Sequence, residues 1–240
     1  MTIEHNNLIE HLPQRHETRF ELPIHLAAKA IELLSLRYTE QPHDAEWTQT
    51  LYFADRYLNV PSDKVVRARK YTKSPLGDTL NLSLEDDWLF ELKDESGHKS
   101  RKNISLEEIL LTTSYPEIYT LADHFPHTSA LDTTKPFLPI AATQSRRKHF
   151  IVENVRITLD QDLDYYGFDW GNLSGKKIGQ KQLAKVETKE FIAPSADTND
   201  DTNLTNIHEF LASLGAEPMA DKAQEKELRK LYGEFLKNHE

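Results

Sequence analysis

The sequence predicts an α+β protein in which a sheet closes into a barrel around a polar interior, with helices packed on the outside. Extended segments alternate charged with apolar residues, so that each strand has one charged face and one apolar face. Four stretches carry apolar residues at helical spacing. Most arginines lie in the extended segments rather than in the helices. Of the eleven arginines, eight lie in the extended segments, at positions 15, 19, 67, 69, 101, 146, 147 and 156.

The chain opens with a strand, RHETRFEL at 15–22, and an amphipathic helix from Ile24 to Leu36. Further strands are predicted at 47–53, 64–72, 87–95, 97–102, 139–152, 154–161 and 183–191, and helices at 105–125 (broken at Pro116), 204–214 and 222–237. The polar stretch APSADTNDDTN is a linker. The sequence therefore predicts a barrel domain at 1–195, followed by a linker and C-terminal helices at 196–240 that pack on the barrel.

Composition excludes several classes of function. There is no cysteine among the 240 residues, which excludes disulfides and thiol catalysis and is typical of the cytoplasm, where we expect the protein. The net charge of −10 disfavours nucleic acid as a partner. No apolar run approaches the length of a membrane span, so we expect no direct membrane insertion. The glycine-rich segment GNLSGKKIG does not fit a nucleotide-binding P-loop and is interpreted as a turn.

The charged strand faces are the main functional signal. On the strand 64–72, Arg67 and Arg69 point the same way, and like charges at that spacing repel unless water or an anion separates them. A single strand of this kind is most simply explained by a face turned to water. Taken together, the strands predict an interior with roughly ten cations and few carboxylates, which would need water and a polyanion to fill it. Arginine suits phosphate because its planar fork binds two oxygens at once.

Three glutamates share these charged faces. Glu17, Glu91 and Glu187 each lie two residues from a cation on the same strand face. Carboxylates can hold a hard divalent metal that bridges to phosphate oxygens, as in phosphoryl transfer. Each glutamate can equally form an ion pair with its basic neighbour across strands, and the sequence leaves both interpretations open.

Seven segments in this order resemble the triphosphate tunnel metalloenzymes, and most closely the vacuolar transporter chaperone branch with its bacterial polyphosphate polymerases. The segments are RHETRF, KVVRARKY, FELK, HKSRK, RRKHF, NVRITLD and KVETKE, over residues 15–191. The resemblance implies an eight-stranded antiparallel barrel whose tunnel binds a triphosphate or polyphosphate through basic residues, with Mn²⁺ or Mg²⁺ held by glutamates. The opening strand lacks the more glutamate-rich pattern of the adenylate cyclase and thiamine triphosphatase branch. This difference argues against a nucleotide cyclase and against thiamine triphosphate as the substrate.

The resemblance assigns roles to individual positions. The implied catalytic residues are Arg67, Arg69, Lys93, Arg147 and Arg156. The implied phosphate-binding residues are Arg15, Arg19, Tyr71, Lys99, Arg101 (or Lys102 in another register) and Lys189. The implied metal ligands are Glu187, Glu17 and Glu91, with Glu187 the first choice.

The activity that the resemblance implies is a metal-dependent polyphosphate polymerase, which transfers the terminal phosphoryl group of ATP to a growing chain. Two alternatives are an inorganic triphosphatase that hydrolyses tripolyphosphate and a non-catalytic polyphosphate-binding module. The expected ligands are ATP, triphosphate or polyphosphate, and a membrane partner protein stays open. The C-terminal helix has a wide apolar face, which we expect to pack on the barrel wall rather than to close a tunnel mouth.

Overall fold

A computed structural model of the chain describes residues 14–41, 46–54, 65–93, 99–109, 138–169, 172–191, 202–219 and 223–237. Its strands are β1 (Gln14–Pro23), β2 (Thr39–Gln41), β3 (Trp47–Ala54), β4 (Val65–Thr72), β5 (Thr79–Asn81), β6 (Asp87–Lys93), β7 (Lys99–Ser105), β8 (Leu138–Val152), β9 (Val155–Phe168), β10 (Ser174–Gln180), β11 (Leu183–Phe191) and β12 (Glu217–Pro218). Its helices are α1 (Ile24–Arg37), α2 (Thr202–Ser213) and α3 (Ala223–Lys237), with a further helical turn at 106–109.

These elements form two compact units that interleave along the sequence. The first unit contains β1, α1, β2, residues 145–152 of β8, residues 155–163 of β9, β11, α2 and β12. The second contains β3 to β7, residues 138–144 of β8, residues 164–168 of β9, β10 and α3 from Gln224 onward. The predicted domain boundary at 195/196 falls outside the described residues.

The first unit has a sheet in the order β12-β1-β11-β9-β8, with β2 paired to β8. The register sets Phe20 opposite Val186, and Val186 opposite Leu159, so the apolar residues of three strands share one face. Helices α1 and α2 cover that face. Its buried core contains Phe20, Leu22, Val155, Ile157, Leu159, Ala184 and Val186 from the strands with Ala27, Ala30, Leu34, Ile207 and Leu211 from the helices. The prediction that helices cover the apolar strand faces is confirmed for this unit.

The second unit pairs its strands in the order β8-β3-β4-β6-β7, and β10 pairs with both β9 and β5. Strand alternation again separates two faces, with Ala68 between Arg67 and Arg69, and Phe90 beside Glu91. The apolar face forms a second buried core of Leu51, Phe53, Ala68, Leu80, Leu82, Trp88, Phe90, Ile104, Leu106, Ile109, Ala142, Tyr166 and Phe168. The helical turn at 106–109 closes this core through its two buried apolar residues.

The α+β class and the antiparallel pairing are as predicted, but the closed eight-stranded barrel is not confirmed. The sheet has twelve strands in the described residues, and it ends at β12 and β7 without closing. The eight predicted strands match β1, β3, β4, β6, β7, β8, β9 and β11. Three of the four missed strands have only two or three residues, too few to show alternation. The fourth, β10, lies largely in the segment GNLSGKKIG, for which the sequence predicts a turn.

Helix α3 packs on the side of the second unit opposite its apolar core. Tyr165 and Gly167 alternate along β9 with Tyr166 and Phe168 of that core. The Tyr165 hydroxyl donates to Glu227 of α3 at 3.0 Å. A Cβ placed on Gly167 would lie 3.0 Å from the ring of Phe235. The helix therefore packs on the side of β9 to which strand alternation also assigns Arg67 and Arg69. The expected packing on a barrel wall stays a prediction, because a closed barrel is not confirmed.

None of the described helices combines the length and the apolar character needed to cross a bilayer.

Candidate functional site

The charged face of the first unit gathers side chains from β1, β11, β9 and β8. Antiparallel register sets Glu17 opposite Lys189 and Arg19 opposite Glu187. The neighbouring pair of strands sets Lys185 opposite Asp160, and Lys189 opposite Arg156. Since every second residue of a strand points to the same side, the apolar core behind these strands forces their charged residues onto the other face.

Four of these side chains form a closed, alternating ring of ion pairs, which we call the quartet: Glu17, Arg19, Glu187 and Lys189. Arg19 bonds Glu17 through Nη2 and donates to Glu187 Oε2 through Nε at 3.1 Å. The ammonium of Lys189 lies 2.8 Å from Glu187 Oε1 and 3.3 Å from Glu17 Oε2. Each carboxylate therefore holds the same two cations. The two carboxylates are 13% and 14% exposed, and the Lys189 side chain is 10% exposed.

A second group extends this face toward β8. Arg147 donates to Asp160 through Nε at 2.6 Å and through Nη2 at 2.7 Å, a side-on, two-point contact with a carboxylate that is 8% exposed. Lys185 lies 3.6 Å from Glu187 Oε2 and so connects this pair to the quartet. His149 approaches Thr158 with 3.0 Å between Nδ1 and Oγ1. The face is thus a continuous charged network rather than a set of isolated pairs.

Protonation on this face follows from burial and from the neighbouring charges. Burial by itself raises the pKa of Glu187, but Lys189, Lys185 and Arg19 outweigh it and lower that pKa well below the ordinary glutamate value. Burial likewise opposes ionisation of Asp160, and Arg147 reverses the effect and lowers its pKa. For Lys185 burial prevails over its two carboxylate neighbours, and its pKa is lowered. Both carboxylates are therefore fully ionised at neutral pH.

The second unit has its own charged pairing on β4 and β6. Arg67 donates from Nε to Glu91 Oε2 at 2.7 Å, and Arg69 Nη2 lies 3.8 Å from the same oxygen. The Glu91 side chain is 1% exposed. Burial, followed by repulsion from Arg69, lowers the pKa of Arg67. A buried carboxylate therefore lies between the two neighbouring arginines.

The structure brings some predicted site residues together and leaves others outside its description. Arg19, Glu17, Glu187, Lys189, Arg147 and Arg156 lie on the charged strands of the first unit, and Arg67, Arg69, Tyr71 and Glu91 lie on β4 and β6 of the second. The guanidinium of Arg156 also stacks 5.5 Å above the ring of Phe191. The side chains of Arg15, Lys93, Lys99 and Arg101 lie outside the described part. Their backbones pair Lys93 with Lys99, and Arg101 with Glu91. The roles assigned to all these residues stay predictions.

Two residues of the network were not among the predicted site residues. Asp160 and Lys185 both lie in segments that matched the resemblance, NVRITLD and KVETKE, and both alternate with apolar neighbours. Alternation alone could have placed them on the charged face, but it could not show that Asp160 binds Arg147 or that Lys185 approaches Glu187. Those contacts depend on register between strands that are far apart in sequence.

The donor set fits a divalent cation in a limited way. Within the described residues, no group of three or more His, Asp and Glu side chains is arranged to hold a metal ion. Glu17 and Glu187, however, come from adjacent strands and both contact Lys189. Mg²⁺ and similar ions are commonly held by one or two carboxylates together with substrate phosphates. Two carboxylates of the quartet therefore suit a metal that is completed by a phosphate ligand. Glu91 suits it less, because its side chain is 1% exposed, against 13% and 14% for Glu17 and Glu187.

Comparison with known proteins places the fold but gives no close relative. No protein-family profile matches the sequence, and no curated protein matches it. Among solved structures, a Hippeastrum protein proposed as an adenylyl cyclase, and described as having a dominant triphosphatase activity, is similar at a TM-score of 0.54. The identity is 15%, over 89% of this chain and 94% of the other.

Weaker similarities point to proteins with related names. A protein of Bacillus halodurans described as an adenylate cyclase candidate matches at 13% identity, over 88% of this chain and 97% of its own, with a TM-score of 0.48. An inorganic triphosphatase matches at 12% identity, over 80% and 79% of the two chains, with a TM-score of 0.29.

At these identities the likeness concerns the fold alone. It does not confirm the polyphosphate polymerase branch that the sequence resembles. The chain therefore has a fold similar to that of the Hippeastrum protein described as having a dominant triphosphatase activity.

Proposed function

We propose that this protein is a metal-dependent hydrolase of a triphosphate, with inorganic tripolyphosphate as its simplest substrate. The observation that carries the proposal is the charged face of the first unit, where Arg19, Lys185, Lys189 and Arg147 adjoin the three carboxylates of Glu17, Glu187 and Asp160. A buried face with a surplus of cations is suited to a polyanion. The fold that this chain shares with a protein of dominant triphosphatase activity supports the same substrate class.

The proposed reaction breaks one phosphoanhydride bond. Water attacks the terminal phosphorus, the bond to the bridging oxygen breaks, and diphosphate and phosphate leave, with one proton released to solvent at neutral pH. Phosphoryl transfer of this kind needs no protein nucleophile, since catalysis comes from positioning and charge stabilisation. Arg19 and Lys189 are in place to bind non-bridging oxygens, and Arg147 offers a guanidinium whose plane is fixed by Asp160.

Glu17 and Glu187 would hold the divalent cation, which would supply charge neutralisation for the phosphate oxygens. Their carboxylates lie diagonally across the β1–β11 pair, and both contact Lys189. The lowered pKa of Glu187 keeps that carboxylate ionised at neutral pH, so no proton has to leave it before a cation binds. Mn²⁺ and Mg²⁺ are the ions we propose, on the basis of an all-oxygen ligand set.

The test is a product analysis with three substrates. Purified protein is incubated with tripolyphosphate, ATP or long-chain polyphosphate, each with Mn²⁺, with Mg²⁺ and with EDTA, and products are measured as free phosphate and on a polyacrylamide gel. We expect phosphate and diphosphate from tripolyphosphate, and no release in EDTA. The Lys189→Gln variant should lose this activity, while Lys148→Gln, which removes an exposed cation paired with Glu40, is the matched control.

Other product patterns would overturn the proposal. Chains that lengthen at the expense of ATP would identify a polymerase, the activity that the sequence resemblance first implied. Binding of polyphosphate without turnover under any metal would identify a binding module. Release of phosphate that persists in EDTA and in the Lys189 variant would place the chemistry outside this face.

A further inference from the structure

The quartet of Glu17, Arg19, Glu187 and Lys189 has a consequence for how ligands bind. We propose that it couples divalent cation and triphosphate, so that each ion binds weakly alone and each raises the affinity for the other. The inference rests on the proposed function, because it concerns the same face. It goes further by making the metal–triphosphate pair, rather than either ion, the species that this site recognises.

The charges of the quartet are balanced. Two carboxylates and two cations alternate around the ring, so its net charge is zero, and each member contacts two members of opposite charge. A polyanion that approaches alone must take Arg19 and Lys189 away from their carboxylates. Those carboxylates would then face the phosphate oxygens across the ring with nothing to neutralise them.

A divalent cation that approaches alone must likewise break the ion pairs of the quartet. Glu17 and Glu187 would have to release Arg19 and Lys189, which would then repel the incoming ion and each other. When both ions arrive, the partners exchange: the carboxylates turn to the divalent cation, and the two basic side chains turn to the phosphate. Opposite charges stay adjacent at every position, so the penalty that each ion meets alone is removed.

Burial makes this exchange energetically important. The side chains of the quartet are between 10% and 29% exposed. Water therefore screens these charges poorly, and unpaired charges cost more here than at a surface. Lys185 adds a third cation 3.6 Å from Glu187, which strengthens the hold on that carboxylate. A coupling of about tenfold or more lies within the 5- to 150-fold range typical of linked sites.

This coupling predicts a result that would not be expected of a site in which the carboxylates do not restrain the basic side chains. If the carboxylates restrain the two cations, removing one carboxylate charge should strengthen metal-free binding of the anion. Glu187→Gln and Glu17→Gln both do this without changing side-chain size. Glu21→Gln is the matched control, because Glu21 lies on the same face of β1 but pairs with Lys181 at 2.6 Å, outside the quartet.

The experiment measures binding rather than turnover. A hydrolysis-resistant imido analogue of triphosphate is titrated into the full chain by calorimetry, in EDTA and in Mn²⁺, and Mn²⁺ binding is followed by electron paramagnetic resonance with and without the analogue. In EDTA we expect Glu187→Gln and Glu17→Gln to bind the analogue at least about fivefold more tightly than the unmodified protein, and Glu21→Gln to bind it equally. The Mn²⁺-induced gain in affinity should shrink in both quartet variants.

Circular dichroism melting establishes whether each variant is folded. Two quartet variants are used so that the test still stands if one of them does not fold. Metal-free affinity that falls or stays equal in the folded quartet variants would overturn the inference. In that case the carboxylates do not restrain the cations, even if the unmodified protein hydrolyses tripolyphosphate in Mn²⁺. A protein that binds the analogue in neither EDTA nor Mn²⁺ would instead overturn the proposed function itself, and the inference with it.

Discussion

Arg67 and Glu91 form an ion pair on the charged face of the second unit, with 2.7 Å between Nε and Oε2. Arg69, two residues along the same strand, lies 3.8 Å from that oxygen, and its own Nε is buried without a hydrogen-bond partner among the described residues. Strand alternation treats these two arginines as equivalent, but the structure does not. Arg67 donates a hydrogen bond to the carboxylate, whereas Arg69 approaches it only at ion-pair distance.

Arg67→Ala and Arg69→Ala should therefore differ in stability. Removing Arg67 takes the closer partner from a carboxylate that is 1% exposed, and breaking a buried pair costs about 3–5 kcal/mol. Removing Arg69 relieves like-charge repulsion and removes an unsatisfied donor, so we expect a change of less than about 1 kcal/mol. Urea denaturation of the two variants measures this. Equal losses would mean that both arginines serve Glu91 alike.

Glu91→Gln should destabilise the protein and leave metal binding unchanged. The amide keeps the shape but loses the charge that two guanidiniums share, which we expect to cost about 1–3 kcal/mol. The affinity for Mn²⁺ in the presence of the triphosphate analogue should match that of the unmodified protein, in contrast to Glu187→Gln. A Glu91 variant with normal stability and weakened Mn²⁺ binding would restore the sequence prediction that this glutamate is a metal ligand.

Acid should destabilise the first unit through Asp160 and Glu187. Both carboxyl groups have a pKa lowered below the ordinary value in the folded protein. Their stabilising contribution is therefore present above the unfolded pKa, about 4, and is lost as the pH falls through the lower folded values. We expect the free energy of unfolding to fall below about pH 4, and less steeply in Asp160→Asn.

At neutral pH the same Asp160→Asn variant should be less stable by about 1–3 kcal/mol, because Arg147 loses its charged partner. Glu40→Gln, which removes the exposed pair with Lys148, is the control and should change stability by less than about 1 kcal/mol. Urea denaturation at pH 3 to 7 measures both effects. If the free energy of unfolding falls as steeply below pH 4 in Asp160→Asn as in the unmodified protein, the Arg147–Asp160 pair contributes nothing to the acid sensitivity.

Gly167→Ala should loosen α3. A Cβ at this position would lie 3.0 Å from the Phe235 ring and 3.2 Å from a methyl carbon of Ile178. Overpacking of this kind costs about 1–3 kcal/mol, and the added Phe235→Leu change should recover part of it by making room. Gly77→Ala is the control, since nothing lies within 4 Å of its added carbon. Thermal melts should separate the variants. A Gly167 variant as stable as the control would mean that α3 has room to shift.

The sequence by itself determined the two faces of each strand. A side-chain period of two leaves no choice once one face is apolar, so Phe20 and Val186 in the core oblige Arg19 and Glu187 to lie on the other side. The α+β class, the eight strands named above as matching the prediction, and the helices at 24–37 and 202–213 follow from such local patterns, and from the amphipathic stretches that cover the apolar faces.

Only the tertiary structure decided which charges meet. Arg19 and Glu187 are 168 residues apart, and a slip of one residue in the β1–β11 register would have separated them. The surface against which α3 packs also depends on the tertiary structure, because an amphipathic helix shows only that it must bury one face. Here Gly167 and Gly179 admit Phe235 and Leu231 on the side of the arginines. Pairing across long separations depends on register and on room in the packed chain, and neither is written in a local pattern of residues.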